Sequence, residues 1–399
     1  MKVIVIGGGA AGFFAAIRSA ELGNNVALLE KDSKLLSKVK VSGGGRCNVT
    51  NSNFQVSELI KGYPRGAKFL RKAFGQFASK DTVDWFEGKG VKLKAEPDGR
   101  MFPTTDDSQT IVDCLLQATK KSGVQINKNI RVRSIEKSAA GFLLKDDTGN
   151  EIDADKVIVA SGGSPKKDGL EWLEQLDHNA VDPVPSLFTF NIPGNPIKEL
   201  MGLSANVRTK IQGSKLSSEG PILITHWGFS GPAVLKLSAW GARELAERNY
   251  NFNVLINWSN LNSEEEVRAN LNESRSSKAQ IKNLNPTSLA GRLWDFLLNK
   301  AGISPSKLWN ELGKKDFNRL VNTLFADTYE VKGKTTFKEE FVTCGGLSLA
   351  EINPNTMESR IIPGLFFAGE IMDIDGITGG YNFQAAWTTG WIAGGGKSG

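Results

Sequence analysis

An α/β fold is predicted: a Rossmann-like domain with a parallel sheet and a β-meander, interrupted by an inserted domain that is β-barrel-like and helical. Three observations predict it. Short β-branched apolar runs, KVIVI (2–6), NVALLE (25–30) and KVIVASGG (156–163), suit parallel strands buried on both faces. A glycine cluster, GGGAAG (7–12), stands between the first run and a helical segment. From about 190 to 340 the pattern changes to short runs separated by Gly, Pro and Ser, followed by helical periodicity.

In chain order, Lys2 to Ile6 is the first strand, and Gly7-Gly8-Gly9-Ala10-Ala11-Gly12 fits GxGxxG. Phe13 to Leu22 reads as a helix ended by Gly23, and Asn25 to Glu30 as a strand closing on an acid. Gly7 permits the tight turn, Gly9 lets the main chain approach a pyrophosphate, and Gly12 allows close helix–strand packing. The helix N-terminus adds unpaired N–H groups and about half a positive charge. Glu30 lies where an acid accepts hydrogen bonds from an adenosine ribose and repels a 2′-phosphate, so FAD or NAD is favoured over NADP. A meander follows from Ile130 through Ile152, then the strand ending in Ser161-Gly162-Gly163.

The inserted domain is expected over 190–341, β-rich at 190–260 and 327–341 and helical at 261–326, leaving 1–189 and 342–399 as one discontinuous domain. Leu187 to Ile192, Val207 to Gln212, Pro221 to Thr225 and Phe252 to Trp258 read as strands; Ser263 to Ser276, Pro286 to Ala301 and Pro305 to Phe325 read as helices. Asp327 to Phe341 returns through strands. The C-terminal piece carries another buried strand in GLFFAGEIMDIDG (364–376) and a last helix opened by GGYNFQAA (379–386).

Bulk composition bounds the function. The 399 residues are 40% hydrophobic and 23% charged, as in a globular protein. No apolar run reaches the roughly 18 residues a membrane span needs, and MKVIVIGGG reads as a strand rather than a leader, so a cytoplasmic protein with no membrane partner is expected. Cys47, Cys114 and Cys344 are far apart and form no metal-like spacing with His178 and His226, so no metal site is expected. The net charge is +6, and residues 1–100 alone carry 17 Lys+Arg against 9 Asp+Glu. That basic excess is either solvated surface or a field for an anionic ligand.

Five blocks, SGGGRCNVTN (42–51), GRMFP (99–103), THWGFSGPAVL (225–235), VTCGGLSLAEINPNTMESR (342–360) and GEIMDIDGITGGYNFQAAW (369–387), resemble the BaiN-like, or YhiN-type, family of FAD-dependent oxidoreductases. The wider likeness is to glutathione-reductase-like flavoproteins, and it spans the chain. The resemblance implies FAD in the first glycine loop, a second glycine-rich loop along the cofactor, and a Gly-Glu near the C-terminus at the ribityl chain. The expected FAD contacts are Gly7, Gly9, Ala10, Ala11, Gly12, Glu30, Lys31, Gly43, Gly44, Arg46, Cys47, Val132, Ser161, Gly162, Gly369, Glu370, Asp375, Gly379, Gly380, Tyr381, Asn382 and Phe383.

Arg46 complements the pyrophosphate or a substrate anion, and Asn48 bonds the flavin edge. Gly379 to Asn382 at a helix start aim N–H groups at the part of the flavin where negative charge collects on reduction. A Val at Gly380 is expected to disturb the flavin without disturbing the fold. Asp373 and Asp375 are expected to serve ribityl hydroxyls, to orient that loop, or to cap the helix. His226 is a structural residue or a proton donor facing the site; His226, Arg46, Asn48 and Tyr381 are the catalytic candidates. His178 reads as a surface residue, and the Cys47 side chain as packing.

No second GxGxxG follows a strand, so NAD(P)H, if it is the diffusible reductant, is expected to dock directly over the flavin. The resemblance implies hydride transfer between flavin and a small organic substrate held where the two domains meet. Its modes are NAD(P)H-dependent reduction of a conjugated enone or dienone, or oxidation of a small amine by oxygen. A rival reading is an FAD-containing RNA-modifying or RNA-binding protein, since the superfamily includes such members. The segment Lys61, Arg65, Lys68, Arg71, Lys72 reads more simply as an amphipathic surface helix, so a small-molecule substrate and no nucleic acid are expected.

Overall fold

The computed structural model describes residues 1–138, 141–335 and 342–396. The chain divides into two compact units, Met1–Ser186 with Phe337–Gly399, and Leu187–Thr336. The first division falls three residues before the expected 189/190; the second expected division, at 341/342, and the last part of the return from Asp327 to Phe341 lie outside the described residues.

The first unit is built on a five-stranded parallel sheet, in the order Leu365–Phe367, Lys156–Val159, Lys2–Ile6, Asn25–Glu30, Gln125–Lys128. Its central strand pairs Val5 with Ile158 on one side and Leu28 on the other. Val3, Ile4, Val5, Leu28, Val157 and Val159 are buried, which is what the β-branched runs require of strands covered on both faces. The first helix runs Ala10–Glu21, starting three residues before the expected Phe13 because Gly9 itself is the N-cap.

The last helix, Tyr381–Ala393, packs along the first with almost no side chain between them. A Cβ on Gly390 would lie 2.3 Å from the Ala11 carbonyl oxygen, and one on Gly394 2.6 Å from that of Ala15. Both helices advance four residues from one contact to the next, so they run in the same direction. The expected meander is present as three antiparallel strands, Val132–Ser138, Gly141–Asp146 and Glu151–Ala154. A small sheet of Thr50–Asn51, Arg100–Pro103 and Leu93–Ala95 and an antiparallel pair, Ala180–Ser186 with Val342–Leu347, complete this unit's strands among the described residues.

The second unit holds a seven-stranded antiparallel sheet in the order Asp327–Lys332, Asn251–Asn257, Ser204–Ile211, Ser217–Ile224, Gly228–Ser230, Thr189–Asn191, Lys334–Thr335. The helices Glu264–Asn272, Gly291–Lys300 and Lys314–Phe325 are shorter than expected, because Pro286 and Pro305 open irregular segments instead of helical turns. Leu293, Trp294, Leu297, Leu320, Val321 and Leu324 form their buried face. Among the described residues no helix is long and apolar enough to cross a membrane.

Candidate functional site

The glycines of the first loop divide by role. Gly7 has φ +112°, and a Cβ there would lie 2.3 Å from the Ala160 carbonyl oxygen; one on Gly12 would lie 1.9 Å from the Gly7 carbonyl oxygen. These two are glycine because the protein fills their side-chain space. Gly9 is different: its φ of −96° suits any residue and a Cβ would meet nothing within 4 Å. Neither backbone nor packing demands glycine there, so the missing side chain leaves room beside the helix's open N–H groups for a group the chain does not supply. The pyrophosphate of FAD fits that space and that chemistry.

Glu30 closes the second strand with its carboxylate already oriented: Oε2 accepts from the Gly8 N–H at 2.6 Å and Oε1 from the Asp32 N–H at 2.9 Å. A carboxylate offers about four acceptor positions, so capacity remains for ribose hydroxyls. Lys31 is exposed, Val132 half-buried at the head of the meander, and Ser161 exposed beside Gly162, whose φ is +79° with nothing near its Cβ position. Ala10 and Ala11 form the first turn of the helix.

The second glycine cluster ends a helix. Ser37–Gly45 is helical until Ser42 swings to ψ 151°, after which Gly43 and Gly44 take φ +59° and +69°. A Cβ on Gly43 would press on Asn48 and Phe102 at 3.0 Å, whereas Gly44 faces open space. Cys47 follows at φ +59°, fully buried, and burial pushes its thiol up to about 12. Asn48 is buried and its Oδ1 accepts from the Met101 N–H at 3.3 Å.

Arg46 is placed otherwise than expected. Its Nη1 lies 2.7 Å from Glu96 and 3.5 Å from Asp106, and its guanidinium sits 3.9 Å over the Phe102 ring. Those carboxylates supply the countercharge that a pyrophosphate was expected to supply. Of the two roles expected for Asp375, the contacts favour orienting the loop: both its oxygens receive the Arg65 guanidinium and Oδ2 also accepts from Ser186 Oγ at 2.7 Å, which leaves little for a ribityl hydroxyl. Glu370 holds Lys38 at 2.7 Å and the Thr343 N–H at 2.8 Å. Gly369, at φ +75°, donates to Thr389 Oγ1 at 2.9 Å, and a Cβ on it would lie 2.8 Å from that of Ala11 in the first helix.

The last helix opens on Gly379 at φ +121° and Gly380, its N-cap, at φ +90°. A Cβ on Gly380 would lie 2.3 Å from the Thr50 carbonyl oxygen, so a Val there strains the fold itself, against the expectation that it would spare it. Asn382 clamps the preceding loop by accepting from Gly376 N–H at 2.8 Å and donating to its carbonyl at 2.9 Å. Phe383 stacks on Trp387. Tyr381 is mostly buried; its hydroxyl accepts from Asn53 Nδ2 at 3.2 Å, and burial pushes the phenol above its ordinary range. Among the described residues nothing accepts that hydroxyl's own proton.

Sequence reasoning missed the polar support of this helix start. Asn51 Nδ2 donates to the Gly379 carbonyl at 3.0 Å, and buried Gln384 accepts from Thr50 Oγ1 at 2.5 Å and Thr82 Oγ1 at 2.9 Å. The polar run Thr50-Asn51-Ser52-Asn53 was the available signal. His178, expected on the surface, is 2% exposed: Nδ1 meets the Leu176 carbonyl at 2.6 Å and Nε2 meets Ser359 Oγ at 2.8 Å, and burial lowers its pKa. His226 lies exposed at the tip of the Ser217–Ile224/Gly228–Ser230 hairpin, its ring 3.8 Å from that of Trp227. No group of residues suited to a metal occurs among the described residues.

Charge sorts by unit rather than by position along the chain. Residues 187–336 carry 19 Lys+Arg against 13 Asp+Glu, while the other unit carries 30 against 30. The basic first hundred residues are therefore balanced inside their own unit, and the whole +6 belongs to the second.

A family model described as the HI0933-like protein Rossmann domain matches residues 1–396. A ribosomal RNA dihydrouridine synthase of Escherichia coli (strain K12) is 31% identical, covering 97% of this chain and 96% of that protein. A 3-dehydro-bile acid delta(4,6)-reductase of Clostridium scindens is 28% identical over 98% of both. In fold, the chain is similar to 3-ketosteroid delta1-dehydrogenase from Sterolibacterium denitrificans, with a TM-score of 0.52 at 14% identity over 98% of both chains.

Proposed function

From the premise that this chain belongs to the HI0933-like family of FAD-dependent oxidoreductases, we propose that it reduces a carbon–carbon double bond conjugated to a carbonyl, in a uracil ring of RNA. Among the relatives matched over nearly their full length, one is named for an RNA dihydrouridine product and another for reduction of a bile acid delta(4,6) system. Both reductions can be written as conjugate additions; in a uracil ring, hydride is added to the carbon β to the carbonyl and a proton to the α carbon. Bound FAD supplies the hydride, and NAD(P)H is the proposed source of its electrons.

This chain's residues bind, orient and protonate. The open space at Gly9 and the N–H groups of the first helix receive the pyrophosphate, and the Glu30 carboxylate receives the ribose. Asn51 and Gln384 hold the start of the last helix. Tyr381 is the proton donor in this reading: Asn53 Nδ2 donates to its oxygen, so the Oη proton is not spent on Asn53 and is left for the α carbon.

The observation that carries the RNA reading is the charge. All of the net +6 lies in residues 187–336, outside the unit that bears the dinucleotide signature. A phosphodiester chain, with one negative charge per nucleotide, calls for such a field more than a free dienone bearing a single carboxylate does. The second reading, a free dienone substrate, is favoured by the 28% identity to the bile-acid enzyme.

Ribosomal RNA from cells lacking this protein, incubated with the purified enzyme and NADH or NADPH, should gain dihydrouridine by nucleoside mass spectrometry. Tyr381→Phe should lower that rate by about 10²-fold or more while keeping FAD. Dihydrouridine levels identical with and without enzyme, beside brisk reduction of a 3-oxo-4,6-diene, would select the second reading.

A further inference from the structure

We infer that a groove on the helical part of the second unit, between Lys300 and the Lys314–Phe325 helix, binds the phosphodiester backbone of RNA; this rests on RNA being the substrate. The groove is open, with a volume of about 460 Å³, and Lys300, Lys315, Asn318, Arg319 and Asn322 line it. The last four stand at i, i+3, i+4 and i+7 of one helix, which puts them on one face, and all four are exposed. No carboxylate lines it.

The side chains are arranged as donors. Lys300 is held at the groove's edge by Asp327 at 2.5 Å, and its ammonium lies 3.8 Å over the Tyr329 ring. Asp327 is itself buried and fixed by Trp258 Nε1 at 2.9 Å, so it orients the lysine without facing the groove as a free anion. Arg319 spends one nitrogen, Nη2, on Asp316 at 2.6 Å and the Gly302 carbonyl at 3.4 Å, which leaves Nε and Nη1. Asn318 accepts from Arg268 Nη1 at 2.8 Å through Oδ1, which leaves its amide N–H groups as donors. Lys315 has no carboxylate partner among the described residues.

A site made of two ammonium groups, part of a guanidinium and two amides recognises acceptor oxygens carrying negative charge. A wide trough in a unit of net +6 suits a strand running through it better than one small ion. Phosphate contacts of this kind fix register and carry no base specificity.

Binding of a fluorescent ribosomal RNA fragment to the full-length holoenzyme, measured by anisotropy across a potassium chloride series, tests the groove. In Lys315→Gln/Arg319→Gln, affinity should fall at least about tenfold, and the slope of log K against log salt should flatten by about 1.5, near 0.7 to 0.9 per lost phosphate contact. Lys210→Gln/Lys278→Gln, which removes equal charge from exposed positions elsewhere in the unit, should change both far less, and FAD content should be unchanged in both variants. Equal effects in the two double variants, or no effect in the first while the wild type binds RNA, would overturn the groove alone. A wild type that neither binds RNA nor forms dihydrouridine would overturn the groove together with the RNA reading.

Discussion

Arg65 and Asp375, 310 residues apart in the chain, form a two-pronged ion pair in which Nε meets Oδ1 and Nη2 meets Oδ2. Asp375 is completely buried, and the Arg65 side chain is 16% exposed. The pair ties the turn ahead of the Ala67–Ala73 helix to the loop that leads into the last helix.

Removing one partner leaves the other charge in a dry environment. Arg65→Ala should therefore destabilise the protein by about 3 to 5 kcal/mol and weaken FAD retention, as read from denaturant midpoints and flavin absorbance. Arg65→Met combined with Asp375→Asn should recover a large part of that loss. A single variant as stable as wild type would show that the pair is not holding this loop.

Gly9 and Gly12 should separate cofactor binding from folding. Gly9→Ala places its methyl where no protein atom lies within 4 Å, so stability without FAD should stay within about 0.5 kcal/mol while FAD affinity falls at least tenfold. Gly12→Ala drives its methyl into the Gly7 carbonyl and should damage both. Flavin titration alongside thermal unfolding of the flavin-free protein distinguishes them, and an unchanged FAD affinity in Gly9→Ala would place the pyrophosphate elsewhere.

Burial lowers the pKa of His178, so the unfolded chain binds a proton at a pH where the folded chain does not. Its contribution to stability is full above the ordinary imidazole value of 6.5 and is lost as the pH falls below it toward the lowered folded value. Urea midpoints should drop between pH 7.5 and 5, and His178→Gln, which keeps an acceptor and a donor without titrating, should flatten that limb. The same pH slope in both proteins would assign it to other groups.

The cysteines should be silent in the native state. All three are buried, and burial pushes Cys47 up to about 12 and Cys114 to about 11. A thiol-reactive chromophore at pH 8 should find almost no fast-reacting group in the folded protein and three after denaturation. Rapid native labelling of Cys47 would mean that the loop beside Gly43 opens freely.

The sequence by itself determined the parallel sheet, the dinucleotide loop, the meander and the presence of an inserted unit. Each is written locally: β-branched runs must be covered on both faces, Gly7 and Gly12 must lie against backbone, and a five-residue strand followed by GxGxxG has few other uses. Tertiary structure alone decided which charges meet. Arg46, expected to meet a pyrophosphate or a substrate anion, meets Glu96 and Asp106; Asp375, open from sequence to a ribityl or a loop-orienting role, meets Arg65; and His178, expected on the surface, is enclosed by Ser359 and Phe367. Coulomb and hydrogen-bond partners are set by distance in space, and side chains 50, 181 or 310 residues apart leave no periodic signal in the chain. The net charge followed the same rule: a basic first hundred residues became a neutral unit, because the acids that balance it come from further along the chain.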